Sequence, residues 1–222
     1  MGNAIQFGIY KFCILFVLLA FSSMLRAQVE NDSLTDRMKA YESIDFLKNG
    51  ALIVRLRSNS KKIDAYRSSG NTALADKLEQ QQHDRNLAML QGFKENFDFC
   101  KLYFIWADDY KRILDGENSS FFLNEKMEVD STIRLNQNYF LFCDFGPVYV
   151  QALENQYDPK NKVVSSTPAF QEALVIKDLS LTQLLDPFPF YVKVRFYEFG
   201  AAAEKLNSGL YKYLAKSWSK KK

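Results

Sequence analysis

Three apolar, strand-like runs of this chain each end on aspartate: Trp106-Ala107-Asp108-Asp109, Phe142-Cys143-Asp144 and Ile176-Lys177-Asp178. A fourth run ends in a basic, hydroxyl-rich turn, Arg55-Leu56-Arg57-Ser58-Asn59-Ser60-Lys61-Lys62. In an open α/β sheet the carboxyl ends of parallel strands share one edge, and ligands bind there. With all four strands parallel, Asp108, Asp109, Asp144 and Asp178 meet Arg57, Ser58 and Ser60 at that edge. Carboxylates gathered in this way hold a divalent cation through oxygen. The N–H groups that open the next helix, helped by Ser58 or Ser60, hold an anion. The competing reading is structural. Aspartate is favoured after strands because it caps helices and closes turns, and Arg55 and Arg57 then pair with the acids.

What is missing narrows the chemistry further. His83 is the only histidine and sits among Gln80, Gln81, Gln82, Asp84 and Arg85, so it reads as a surface residue. Zinc sites of several His or Cys are excluded, and a Ser-His-Asp or Cys-His mechanism would need His83 itself. Beyond residue 27 no two glycines fall within two positions of each other, so there is no Gly-rich phosphate cradle. Phosphatases of the haloacid dehalogenase type carry two aspartates at the end of their first strand. Here Arg55 and Arg57 occupy that place, which argues against that family.

A second candidate is an interaction face. From Phe190 the chain alternates, with Phe190, Val192, Val194 and Phe196 pointing one way and Tyr191, Lys193, Arg195 and Tyr197 the other. Interleaved aromatic and cationic residues stack on sugars or bases, or dock a protein partner, and an open edge accepts a partner's strand. The plainer reading is a solvated strand face, or one covered by the last helix.

These residues need elements to position them. The spacing predicts a helix over Leu34–Leu47 with Leu34, Met38 and Tyr41 on one face, then a doubly buried strand at Ala51–Leu56. A helix start follows at Ser58-Asn59-Ser60. The longest helical pattern runs from Asn71 to about Phe97, with Leu74, Leu78, Met89, Leu90, Phe93 and Phe97 inward. A second buried strand spans Phe99 to Trp106. Strand, long helical connection, strand is the βαβ unit, so these two strands should be parallel. Further strands are expected at Phe121–Leu123, at Tyr139–Cys143 (ended by Asp144 and Gly146-Pro147), at Ala173–Ile176 and at Phe190–Tyr197, the last near an edge because prolines precede it. The polar stretch Glu154–Pro168 reads as a loop. A closing helix covers about Ala201–Trp218, with Ala203, Leu206, Leu210, Tyr213 and Leu214 inward. The fold class is therefore α/β, a mostly parallel or mixed sheet covered by helices on both faces in three layers.

The N-terminus has the pattern of a secretory leader. Lys11 precedes the apolar run Phe12–Phe21, and Leu25-Arg26-Ala27-Gln28 supplies a cleavage site after Ala27. The run is about half the roughly 20 residues that cross a bilayer. Residues 1–27 are thus expected to leave, and 28–222 to form one α/β domain with no membrane span. Loss of Lys11 and Arg26 takes the formal net charge from +3 to +1, too small a field to attract nucleic acid or acidic lipid. Cys100 and Cys143 remain as an even pair in an oxidising compartment. Pairing and burial as free thiols both stay open for them.

The leader ending in Ala27-Gln28, the aromatic, Asn- and Lys-rich composition and the lack of motifs resemble exported proteins of Bacteroidota, which implies periplasm or secretion. In a eukaryote, Asn31-Asp32-Ser33 and Asn118-Ser119-Ser120 would instead be glycosylation acceptors. The leading expectation is a non-enzymatic binding module for a protein or small-molecule partner, without a resident cofactor. The alternative is a metal-dependent hydrolase or transferase that uses the strand-end aspartates with a divalent cation.

Overall fold

The structure is a computed structural model that describes residues 41–150, 169–184 and 191–220. The leader, the start of the first helix, the 154–168 loop and Pro187-Phe188-Pro189-Phe190 lie outside the described residues. After the helical residues 41–48 (α1) come β1 (Ala51–Leu56), α2 (Ser60–Ser68), α3 (Thr72–Asn96), β2 (Lys101–Trp106) and α4 (Tyr110–Leu114). They are followed by β3 (Phe140–Val150), β4 (Ala169–Lys177), β5 (Val192–Lys193) and α5 (Phe199–Lys220). The sheet order is β2-β1-β3-β4-β5. β1 pairs parallel with both β2 and β3, whereas β3/β4 and β4/β5 are antiparallel. The fold is α/β with a mixed five-stranded sheet.

Each face of the sheet has its own cover. On one face Phe145 of β3 meets α3 and α5: the Phe145 and Phe199 rings meet edge to face at 4.9 Å, and the Arg85 guanidinium lies over Phe145. On the other face Phe142 meets Tyr110 of α4, and an irregular segment completes that side through Phe121, Phe122 and Leu135. α1 is tied down by Lys48, whose Nζ donates to the Phe99 carbonyl at 2.8 Å between the Phe99 and Tyr211 rings. Helix α3 carries an unexpected stripe. Leu74 is 46% exposed, while Ala75, Gln82, Asn86, Met89, Leu90 and Phe93 are buried. α3 and α5 approach most closely where Gly92 faces the backbone of Phe199 and Gly200.

Several strand expectations change. The strand expected to stop at Asp144 runs through Gly146-Pro147 to Val150. Beyond Asp144 it has lost its β1 neighbour, and a strand free on one side accommodates proline. Phe121–Leu123 forms only isolated bridges: Ile105↔Phe122 covers the outer edge of β2, and Leu123↔Val129 closes the segment on itself. The alternating run after Phe190 is a strand only at Val192–Lys193. Val192 and Val194 are buried as expected, but Phe196 is 96% exposed. Positive φ at Phe196 (46°) and Tyr197 (62°) turns the chain into α5, and Phe199 takes the buried position instead.

Among the described residues no helix is long and apolar enough to cross a membrane. Cys100 and Cys143 are free thiols. Burial raises both thiol pKa values, that of Cys100 to about 12, so neither supplies a thiolate nucleophile near neutral pH.

Candidate functional site

At the carboxyl ends of β1 and β2 the surface opens into a cavity of about 270 Å³ between the β1–α2 turn and the turn after β2. Arg57, Lys61 and Lys62 bring positive charge to its wall, Ser58 and Ser60 bring hydroxyls, and Asp108 is its one acid. Four of the residues singled out from the sequence, Arg57, Ser58, Ser60 and Asp108, therefore share one site. Asn59 opens α2 with φ 53°, a left-handed conformation that asparagine tolerates better than most residues. Its carbonyl accepts the N–H groups of Lys62 and Ile63, and the Ser60 N–H donates to Ser58 Oγ at 3.4 Å, so the start of the helix is folded against the cavity wall.

A row of amides fixes this turn from below. Asn59 Nδ2 donates to Gln82 Oε1 (2.5 Å), Gln82 Nε2 to Asn86 Oδ1 (3.0 Å), and Asn86 Nδ2 to the Arg57 carbonyl (2.8 Å). Gln82 and Asn86 are 6% and 4% exposed. The sequence reading placed Gln82 in a polar, outward stretch of the long helix and gave Asn86 no role. Their spacing of four residues was the available signal, since it puts both on one helix face. Asn86→Ala leaves the Arg57 carbonyl and one end of the Gln82 amide unmatched. The expected loss is about 2 kcal/mol in urea unfolding, with the largest rise in amide exchange at residues 57–60.

The remaining aspartates do not join the cavity as a metal cluster. Asp144 lies within β3, where Oδ2 is 2.9 Å from both Arg55 Nη1 and Lys177 Nζ. Arg55 also donates to the Ala107 carbonyl at 3.1 Å and stacks on Tyr110. This acid ties together β1, β3, β4 and the turn after β2. Asp109 faces Arg112 at 3.8 Å, and burial raises its carboxyl pKa against the pull of that arginine. Asp178 is at the other edge of the sheet, because β4 runs antiparallel to β3. There its Oδ1 closes a turn by accepting from Ser180 N (2.9 Å), Ser180 Oγ (2.7 Å) and Thr182 N (2.9 Å). The expectation that Asp108, Asp144 and Asp178 meet on one rim is corrected: the antiparallel β4 carries Asp178 away, and Asp144 is held inside β3 by Arg55 and Lys177. Among the described residues no group of three His, Cys, Asp or Glu side chains is placed to hold a metal ion.

The second candidate face is dispersed as well. Tyr191 is half-buried and packs beside Val148, Ala173 and Val175, while Lys193 and Arg195 are exposed. Tyr197 is carried away by the turn and packs against Arg85, whose guanidinium is 4.5 Å from its ring and donates to its hydroxyl. His83 is exposed, in keeping with the surface reading.

No protein-family model matches the chain, and comparison with curated proteins and with solved structures gives no match.

Proposed function

We propose that this chain is an exported binding domain that takes a small anionic group in the cavity at the β1–α2 turn, rather than an enzyme. The observation that carries the reading is the charge of that wall, three cations against the single carboxylate of Asp108. Arg57 has no hydrogen bond or ion pair from its side chain among the described residues, so its guanidinium is free to bind. Hydroxyls from Ser58 and Ser60 and the positive end of α2 add neutral donors suited to an oxyanion. The site sits at the carboxyl edge of parallel strands, the usual ligand edge of such sheets. With a net charge of only +1 after leader removal, attraction is local to this cavity and does not extend to a polyanion surface.

Inorganic phosphate, titrated in a thermal-shift series at low salt, is expected to raise Tm, and 0.5 M NaCl to remove most of the gain. Arg57→Ala with Lys61→Ala abolishes the gain while leaving the unliganded Tm close to that of the parent. A phosphate response that survives the double substitution places the anion elsewhere and rejects the cavity. Export rests on the leader pattern of residues 1–27. N-terminal sequencing of protein recovered outside the cytoplasm should begin at Gln28; recovery only of the chain starting at Met1 contradicts it.

A further inference from the structure

We propose that Gly146 is a positioning residue for this cavity: it holds the Arg57 guanidinium in place by offering a strand backbone without a side chain. This rests on the anion-cavity reading above. β1 and β3 run parallel with Arg55 opposite Asp144. Two residues further along each chain, Arg57 comes beside Gly146. At the first step a carboxylate neutralises the arginine, at 2.9 Å. At the second there is only glycine, and Arg57 keeps its charge for the cavity that it lines.

Backbone conformation does not explain the glycine. Among the described residues the glycines with positive φ are Gly70 and Gly116, so Gly146 has a φ open to other residues. A glycine inside a strand weakens it and marks a place where another group approaches the backbone closely. Here that group is Arg57. A β-carbon at Gly146 would lie 2.5 Å from Nη2 and 3.3 Å from Cζ. A methyl group therefore displaces the guanidinium, and because the contact is with the flexible end of a side chain, the strand itself survives. The occupant is an oxyanion, whose paired oxygens match the guanidinium fork.

Two measurements on the protein test the idea. The first needs no ligand: the Arg57 Nε–Hε resonance is recorded in the parent and in Gly146→Ala. It should shift in the variant while the backbone amides of residues 140–145 stay in place; an unmoved signal overturns the placement. The second is calorimetric titration with inorganic phosphate of the parent, Arg57→Ala, Gly146→Ala and the double variant. Arg57→Ala should weaken binding about tenfold and Gly146→Ala by a smaller factor in the same direction, with the double variant no weaker than Arg57→Ala alone. Parent-like affinity in Gly146→Ala, or losses that multiply in the double variant, overturns the proposal. Absence of phosphate binding by the parent defeats the cavity reading itself, an outcome distinct from either failure of Gly146.

Discussion

Replacing Asp144 with alanine should lower the unfolding free energy by about 3 kcal/mol, toward the low end of the range for breaking a buried ion pair from one side. The carboxylate is 16% exposed and serves Arg55, 10% exposed, and Lys177, 25% exposed. Its removal leaves two cations facing each other across β3. Lys177 can turn part of the way to water, but Arg55 is held by the Ala107 carbonyl and the Tyr110 ring. Urea titration should show a lower midpoint with an unchanged m-value. Because the penalty comes from stranded charge, Asp144→Leu combined with Arg55→Met should cost less than Asp144→Ala alone. Equal or larger loss in the double variant would show that the pair itself, rather than its imbalance, stabilises the sheet.

The second large effect concerns the helix pair behind the sheet. A β-carbon at Gly92 would lie 2.6 Å from the Gly200 nitrogen and 2.8 Å from the Phe199 carbonyl carbon, both backbone atoms. The neighbours cannot rotate away, so Gly92→Val forces α3 and α5 apart. The expected destabilisation is about 3 kcal/mol, despite the roughly 0.4 kcal/mol by which valine is the better helix former. Gly200→Ala is the control. Its β-carbon would meet the Asn96 amide nitrogen at 3.1 Å, a side-chain end that can shift. Destabilisation there should stay below about 1 kcal/mol. Similar losses at the two glycines would mean that the crossing is looser than its geometry implies.

Half of the sheet was legible in the sequence because burial wrote it there. Ala51–Leu56 and Phe99–Trp106 are apolar on both faces, and the helical stretch between them is too long for a hairpin, which leaves a parallel pair. The direction of β4 was not legible. Ala173–Ile176 has the same composition whichever way it runs, and strand composition does not encode orientation. That one reversal sends Asp178 to the far edge, away from the cavity that Arg57, Ser58, Ser60 and Asp108 line. Gly146-Pro147 looked like a terminator because turns use the same two residues. In the fold the proline sits where the strand has lost one neighbour, and the glycine sits where an arginine lies on the backbone. Gln82 and Asn86 were hidden for a related reason: polar side chains inside a helix read as solvated until a turn arrives to use their hydrogen bonds.

The most direct measurement is a phosphate titration followed by backbone amide resonances of the protein at low ionic strength. Saturable shifts concentrated at residues 57–62 and 107–108, and lost in Arg57→Ala, are the expected result. Shifts that scatter over the surface, or that gather around Lys193 and Arg195 instead, would contradict an anion site at the β1–α2 turn.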